Sequence, residues 1–255
     1  MGAPRHPLRP LRRLMRGACL ALSLWLPGAA AGDITDAYYD APTTRYAHGV
    51  LGDDVEYGGL VIVSDQDREG TKASTDRHRV TVRLPQDHVF EDIAPRLVDL
   101  GDGMQAVMVV ESDMQLGAQL AIYNALGHKL AETPHIGQRN RWLAPIGAAD
   151  LDGDGYVEVA YIDRPHLAKT LRIWRFVDGK LVEVAAGKGL SNHRIGWDYI
   201  EGGIRDCGQG PEMIVATGDW RRVLAVTFDG KGLRSRALGR YSADAIKRAM
   251  ECRLK

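Results

Sequence analysis

The sequence predicts an all-β protein, and three observations carry the prediction. Apolar runs of four to six residues recur along the chain, a length that suits strands buried on both faces. Each run follows a turn built around an aspartate. Alternating segments then flank Asp-Gly pairs or a lone glycine, a strong hairpin signal.

The first 32 residues stand apart. They hold Arg5, Arg9, Arg12, Arg13 and Arg16 and no acid, then the apolar run Gly17 to Leu26, the break Pro27-Gly28 and the small residues Ala29-Ala30-Ala31-Gly32. That layout is a secretory signal peptide, cleaved before Asp33 or one residue earlier. The mature chain is therefore expected in the periplasm or the medium. Arg12-Arg13 leaves a twin-arginine route open beside general secretion, and Cys19 lies too early in the apolar run to be lipidated. The full chain balances 33 Lys+Arg against 33 Asp+Glu, so without those five arginines the remaining 223 residues carry a charge of −5. A mildly acidic body excludes the basic footprint of a nucleic-acid binder. No apolar run reaches the ~18–20 residues of a membrane span. With 45% hydrophobic residues the body is not disordered, and residues 33–255 suffice for a single domain.

Four copies of one unit fill that body. Aligned on Asp53, Asp99, Asp150 and Asp206, they lie 46, 51 and 56 residues apart. The turns lead into Leu60–Val63, Ala106–Val110, Val157–Ile162 and Met213–Ala216, and these runs are followed by Asp65, Asp113, Asp163 and Asp219. Next come Arg79–Leu84, Leu120–Tyr123, Leu171–Trp174 and Leu224–Thr227; the last three turn at Gly127, Asp178-Gly179 and Asp229-Gly230. A period near 50 with about four strands per unit predicts a β-propeller of four blades. Residues 33–50 supply an extra strand or a fifth, partial blade. A sandwich or solenoid is the alternative. One helix is expected, with Ser242 capping Ala243 to Met250. It ends beside Cys252, and in an exported protein Cys207 and Cys252 form an even pair that reads as a disulfide; two buried free thiols are the alternative.

The third turn has the chemistry of a calcium loop. Asp150, Asp152, Asp154 and Glu158 place four carboxylates in nine residues, and without a cation they repel one another. Ca²⁺ takes six to eight oxygens. Acids at positions 1, 3 and 5, Gly155 at the bend and the Tyr156 carbonyl at position 7 make the start of an EF-hand-type loop. Position 12 is Tyr161 rather than Glu and a strand follows, so Glu158 is expected to close the shell of one Ca²⁺. The turns at Asp53, Asp99 and Asp206 lack parts of the set and are expected to bind weakly if at all.

Asp-Leu-Asp-Gly-Asp-Gly-x-x-Glu running into a strand resembles the FG-GAP or VCBS-type repeat of exported bacterial proteins and of the integrin α propeller. The flanking Arg45–Gly49, Arg141–Pro145 and Asn192–Asp198 extend the resemblance to an uncharacterised group of exported proteins carrying such repeats. The resemblance implies a propeller with Ca²⁺ in its blade loops and no single activity.

The sequence contains no GxSxG elbow, HExxH, glycine-rich phosphate loop or CxxCH. His48, His135 and His193 precede acidic turns and are expected near one mouth of the propeller, with Trp142, Trp197 and Trp220 close by. Two functions follow. The first is a calcium-stabilised, non-catalytic propeller that binds a protein or cell-envelope glycan through His48, Trp142, His193 and Trp197. The alternative is a periplasmic hydrolase or lyase with a His/Asp site at the mouth. Clustered histidines with shifted pKa values favour the second, scattered solvated ones the first.

Overall fold

The strands of four successive units pair as the aspartate alignment predicts. A computed structural model describes residues 1–2, 33–65 and 77–254; the signal peptide expected over residues 1–32 and its cleavage point fall almost wholly outside the described residues. In unit one, β2 (Glu56–Asp65) lies between β1 (Ile34–Thr43) and β3 (Arg77–Arg83), with Ile62 opposite Ala37 on one side and Val80 on the other. β1 is thus the extra strand expected from residues 33–50. The short β4 (His88–Phe90) bridges to unit two, which comprises β5 (Arg96–Asp99), β6 (Gln105–Asp113), β7 (Gly117–Tyr123) and β8 (Lys129–Glu132). Units one and two therefore share one eight-stranded sheet. Unit three is the four-stranded sheet of β9 (Leu143–Ala149), β10 (Glu158–Asp163), β11 (Thr170–Val177) and β12 (Lys180–Lys188). Unit four holds β13 (Leu190–Ser191), β14 (Gly203–Asp206), β15 (Pro211–Thr217), β16 (Arg222–Phe228) and β17 (Leu233–Arg240). All strand pairs are antiparallel.

The unbroken apolar runs have a direct cause. Successive side chains of a strand point to opposite faces, and each central strand is covered on both. Val107 and Val109 of β6 pack against Leu60 and Ile62 of unit one, while Met108 and Val110 join Val159 and Tyr161 of β10. Ala160 and Ile162, the alternate residues of β10, join Met213 and Val215 of β15. Each fully buried Leu or Ile contributes about 1.5–3 kcal/mol, so neighbouring units hold one another in place. The outermost strands read differently: β17 is exposed along most of its length and carries Arg234, Arg236 and Arg240, charges that protect a free sheet edge.

Local signals set the connections. Asp178 and Gly179 both adopt positive φ, 51° and 69°, as a two-residue type I′ hairpin requires. At β16–β17 the Asp229 carboxylate caps the turn by accepting from Lys231 N and Gly232 N. The acidic turns all lead into the central strand of their unit, and in each the anchoring aspartate accepts backbone N–H bonds: Val55 on Asp53, Gly101 on Asp99, Gly153 on Asp150 and Gly208 on Asp206. The turns with fewer acids share this capping bond with the acid-rich one.

The helix α1 (Ala243–Met250) has the expected cap, Ser242 Oγ accepting from Ala245 N at 3.0 Å. Its buried Ala245, Ile246 and Ala249 cover Ile214, Val223 and Ala225, the face of unit four turned away from unit three. Units four and one meet through loops, where Gly196 N donates to Val50 O at 3.1 Å. A Cys207–Cys252 disulfide fastens the helix end to the last acidic turn, as expected. The buried Arg205 adds a second tie, donating to the carbonyls of Ala249 and Leu254 while paired with Glu212. Among the described residues no helix is long and apolar enough to cross a membrane.

Replacing both Cys207 and Cys252 by Ser should lower the urea midpoint, with a loss of up to about 4 kcal/mol by loop entropy. An unchanged midpoint would mean that Arg205 and the helix face suffice to seat the C-terminus.

Candidate functional site

Two constellations sit at opposite ends of β10. At its start, Asp150 Oδ1 accepts from Gly153 N and Asp154 N, and Oδ2 from Gly155 N at 2.9 Å. Gly153 and Gly155 take φ of 77° and 91°, which lets the chain wrap around that carboxylate. Glu158 is wholly buried, and its Oε2 accepts from Leu151 N at 2.9 Å. One carboxylate oxygen each of Asp150, Asp152 and Glu158 lies within 4.8 Å of the others. Asp152 Oδ1 is buried and has no hydrogen-bond partner. Asp154 and Tyr156 stand at the rim: the Asp154 carboxylate accepts from Tyr156 N, and Tyr156 is half exposed.

Arg175, directly opposite Glu158 in the β10–β11 register, reaches into the same loop. It donates to Glu158 Oε1 at 2.6 Å and Asp152 Oδ2 at 2.7 Å, and pairs with Asp154 Oδ2 at 2.7 Å. Burial pushes the Glu158 carboxyl above its usual range, against the Leu151 N–H and Arg175, with the Asp152 charge adding to the rise. Burial works to lower the Arg175 pKa, but its bonds to Glu158 and Asp152 outweigh that and raise it. The residues fit a hard cation on two counts. Ca–O distances of about 2.3–2.6 Å place ligands on opposite sides of an ion about 5 Å apart, which matches the trio's spacing. Four acids against one arginine also leave an uncompensated negative charge, and Asp152 Oδ1 is an orphaned acceptor within it. Among the described residues the turns at Asp53, Asp99 and Asp206 bring no such trio together.

The other constellation lies past the far end of β10, roughly 20 Å away at about 3.3 Å per residue. There a cavity of about 250 Å³ is lined by His48, Asn140, Arg141, Trp142, His166 and Ile195, among others. His48 Nδ1 lies 2.5 Å from Glu91 Oε1. Glu91 is fully buried; Ser112 Oγ donates to its other carboxylate oxygen, and Trp142 Nε1 donates to its backbone carbonyl at 2.8 Å. Burial raises the Glu91 pKa, opposed by the bond and charge of His48 and by Ser112. Behind the opposite wall, His166 Nε2 lies 2.9 Å from His193 Nδ1, and His193 Nε2 is 2.9 Å from the Trp197 carbonyl. Burial, followed by the His193 and His48 charges, pushes the His166 pKa down to about 4. Burial also lowers that of His193. Both rings are therefore neutral at pH 7.

The expected ligand surface divides. His48 and Trp142 do line one cavity. His193 is fully buried behind His166 and faces no ligand, because its two ring nitrogens are tied to His166 and to the Trp197 carbonyl. Trp142 is 2% exposed and packs against the His193 ring at 4.9 Å, so it is a wall and not a stacking platform. Trp197 lies on the far side of His193, edge-on to its ring at 6.2 Å, and is stacked on Tyr199 at 4.6 Å and edge-on to Trp220, with the Arg194 guanidinium 4.5 Å from the Trp220 ring. His135 does not join the cleft; it bonds the Gly117 carbonyl and neighbours His88. Sequence reasoning missed Arg175, His166 and Glu91. Arg175 was within reach: counting back from the Asp178-Gly179 hairpin puts it on the strand beside Glu158. His166 follows Asp163 in the turn on the cleft side of β10, but Glu91 joins His48 only through the tertiary fold.

No family model and no curated protein matches the chain. Among solved structures, the rhamnogalacturonan lyase YesW is similar at 16% identity with a TM-score of 0.34; the match covers 74% of this chain, which spans 44% of that protein. CoXyl43, a GH43 β-xylosidase/α-arabinofuranosidase from a compost microbial metagenome, is similar at 14% identity and the same TM-score, covering 84% of this chain and 82% of that one. At these values neither likeness bears on what this chain does.

Glu56, first residue of β2 as Glu158 is of β10, shows what the acidic turn becomes without an arginine. Burial, then the charges of Glu91, Asp53 and Asp92, pushes its pKa up to about 9. The folded state holds this proton across pH 5–9 while an unfolded glutamate releases it, so stability falls as pH rises through that window. Glu56→Gln should therefore gain stability over the parent increasingly from pH 5 to pH 9 in urea midpoints. A difference that does not change with pH would show Glu56 to be ionised already.

Proposed function

We propose that this chain is an exported, calcium-stabilised β-propeller module of the FG-GAP type, with four blades, that recognises a protein or cell-envelope glycan at its cleft without catalysing a reaction. The observation that carries recognition is the cleft's rim. Leu167 and Ile195, 63% and 70% exposed, flank a cavity walled by Trp142 and two imidazoles. Exposed apolar side chains grouped around a largely apolar recess that carries a few polar groups mark interaction sites. Among the described residues, neither a carboxylate nor a hydroxyl nucleophile lines that cavity, which suits binding over hydrolysis. Support for the propeller comes from four units stacked in chain order, each with an aspartate turn before its central strand. Support for export comes from the arginine-rich, apolar N-terminal sequence and the Cys207–Cys252 bridge.

In this reading Asp150, Asp152, Asp154, Glu158 and the Tyr156 carbonyl hold one Ca²⁺, which supplies charge neutralisation and no chemistry. Arg175 fixes three of the carboxylates from the opposite side. Its guanidinium covers part of the charge before the ion arrives, so the loop stays folded without metal.

A second reading, the hydrolase or lyase, is favoured by the clustering itself. A carboxylate-oriented imidazole, His48 on Glu91, faces the cavity that neutral His166 also lines, an arrangement suited to proton transfer. Turnover in a panel of glycan and ester substrates that vanishes in His48→Ala would replace binding with catalysis.

Calcium should raise the melting temperature, by an amount equivalent to about 2.7 kcal/mol at a hundredfold excess over Kd. Asp152→Ala should abolish that shift, and Arg175→Gln should enlarge it because the ion then carries all of the neutralisation. A shift retained in Asp152→Ala would place the ion elsewhere.

Ile195→Asp should sharply reduce capture of partners from periplasm and culture medium while leaving the calcium-dependent melting shift intact. Undiminished capture would take the cleft out of recognition.

A further inference from the structure

We propose that a second recess, apart from the cleft, binds a carboxylated glycan, a saccharide chain that bears uronate groups. The recess lies where β16 begins and β17 ends, has a volume of about 690 Å³, and is lined by Trp220, Arg221, Arg222, Gly239, Arg240 and Tyr241. It shares no lining residue with the cleft. Three arginines thus meet in one recess of a body that is acidic overall, and among the described residues no carboxylate lines it. Two of these charges face each other. Arg222 and Arg240 are directly opposite in the β16–β17 register, and like charges so placed are destabilising. On the same strand as Arg240, Arg234 and Arg236 find Asp229 and Glu212. Arg221 reaches Asp219 at 3.4 Å, with both side chains exposed. Among the described residues neither Arg222 nor Arg240 pairs with an acid. Protecting a sheet edge takes a charge, but not two like charges face to face; an anion held between them would relieve the repulsion.

The aromatic side of the recess is held against the preference of its backbone. Trp220 takes a φ of 59° in the turn between β15 and β16, a left-handed conformation that favours glycine and is an outlier for a bulky residue. Strain of this kind persists where the surrounding structure fixes it, and it clusters at ligand sites. Here Trp220 N donates to Thr217 O at 2.7 Å, and the ring stands edge-on to Tyr241 at 4.9 Å. The Arg194 guanidinium, 4.5 Å from the centre of the Trp220 ring and 5.6 Å from that of Tyr241, adds a fourth cation beside the recess. Arginine forks match carboxylates with two parallel hydrogen bonds. Indole and phenol rings offer broad apolar faces with a polar tip, which suit the face of a sugar ring. An acidic peptide would satisfy the arginines and leave Trp220 unused, and a neutral sugar would do the reverse. A uronate chain uses both. The inference goes beyond recognition at the cleft and stands without it.

The test is calorimetric titration of the full-length protein at low salt with hexasaccharides of hyaluronan, alginate and polygalacturonate. Chitohexaose serves as a neutral chain and hexaglutamate as a carboxylate chain without sugars. At least one uronate hexasaccharide should bind at one site per chain, more tightly than either control, and its affinity should fall as salt is raised. Arg222→Gln and Arg240→Gln should each weaken binding by about tenfold or more, the loss of a charge-assisted bond. Neither should lower the melting temperature, because each relieves the facing pair. Trp220→Gly gives the turn the residue its backbone favours; it should weaken binding while the protein still unfolds cooperatively. Arg234→Gln, at the other end of β17 and paired with Asp229, should change nothing. Binding of none of the three uronate chains would overturn the proposal. So would hexaglutamate or chitohexaose bound as tightly as a uronate chain, or uronate binding that survives both Arg222→Gln and Arg240→Gln or is unchanged in Trp220→Gly.

Discussion

Burial of the central strands on both faces is the constraint on which the rest of the structure depends. A strand such as β10 has no polar side to turn to water: Val159 and Tyr161 face unit two, Ala160 and Ile162 face unit four. No unit can satisfy this alone, so units stack, and stability passes between neighbours much as it does in repeat proteins. The end of such a stack needs a cover. Unit four has α1, seated by its own apolar face, by Arg205 and by the disulfide to the last acidic turn. The C-terminal helix, the cysteine pair and a buried arginine thus solve one problem, an otherwise exposed apolar sheet face.

The acidic turns answer a second demand of the same constraint. A strand buried from its first residue needs a chain reversal just outside the core, and the anchoring aspartate provides it by accepting backbone N–H bonds in every unit. In units one and three a glutamate begins the central strand and is itself buried. Glu158 is met by Arg175, Leu151 N–H and the cluster that fits a cation; Glu56 lacks an arginine and keeps its proton instead. The two glutamates show two ways of placing a carboxyl at the edge of an apolar core: pair it, or leave it neutral.

Features written in short stretches of sequence were legible. The Asp-Gly hairpin at 178–179, the Ser242 cap, the apolar runs and the aspartate turns all depend on neighbours a few residues away, and each formed where expected. The Cys207–Cys252 bridge was legible by counting. What eluded the sequence was contact across distance. His48 and Glu91 are 43 residues apart, and His166 and His193 are 27 apart; nothing local signals either pairing. His193 and Trp142, expected on a ligand surface, are buried at the cleft instead, because a residue ahead of an acidic turn can face the cleft or stand behind it, and only packing decides which.

In the proposed reading the two ends of β10 divide the labour, with charge compensation at one and recognition at the other. Hydrogen exchange along the whole chain, with and without Ca²⁺, tests that division most directly. Calcium is expected to slow exchange over residues 150–158 and at Arg175 and its neighbours, leaving 140–142, 164–167 and 192–197 unchanged. Slowing centred on those cleft segments, with the acidic loop unaffected, would contradict the account.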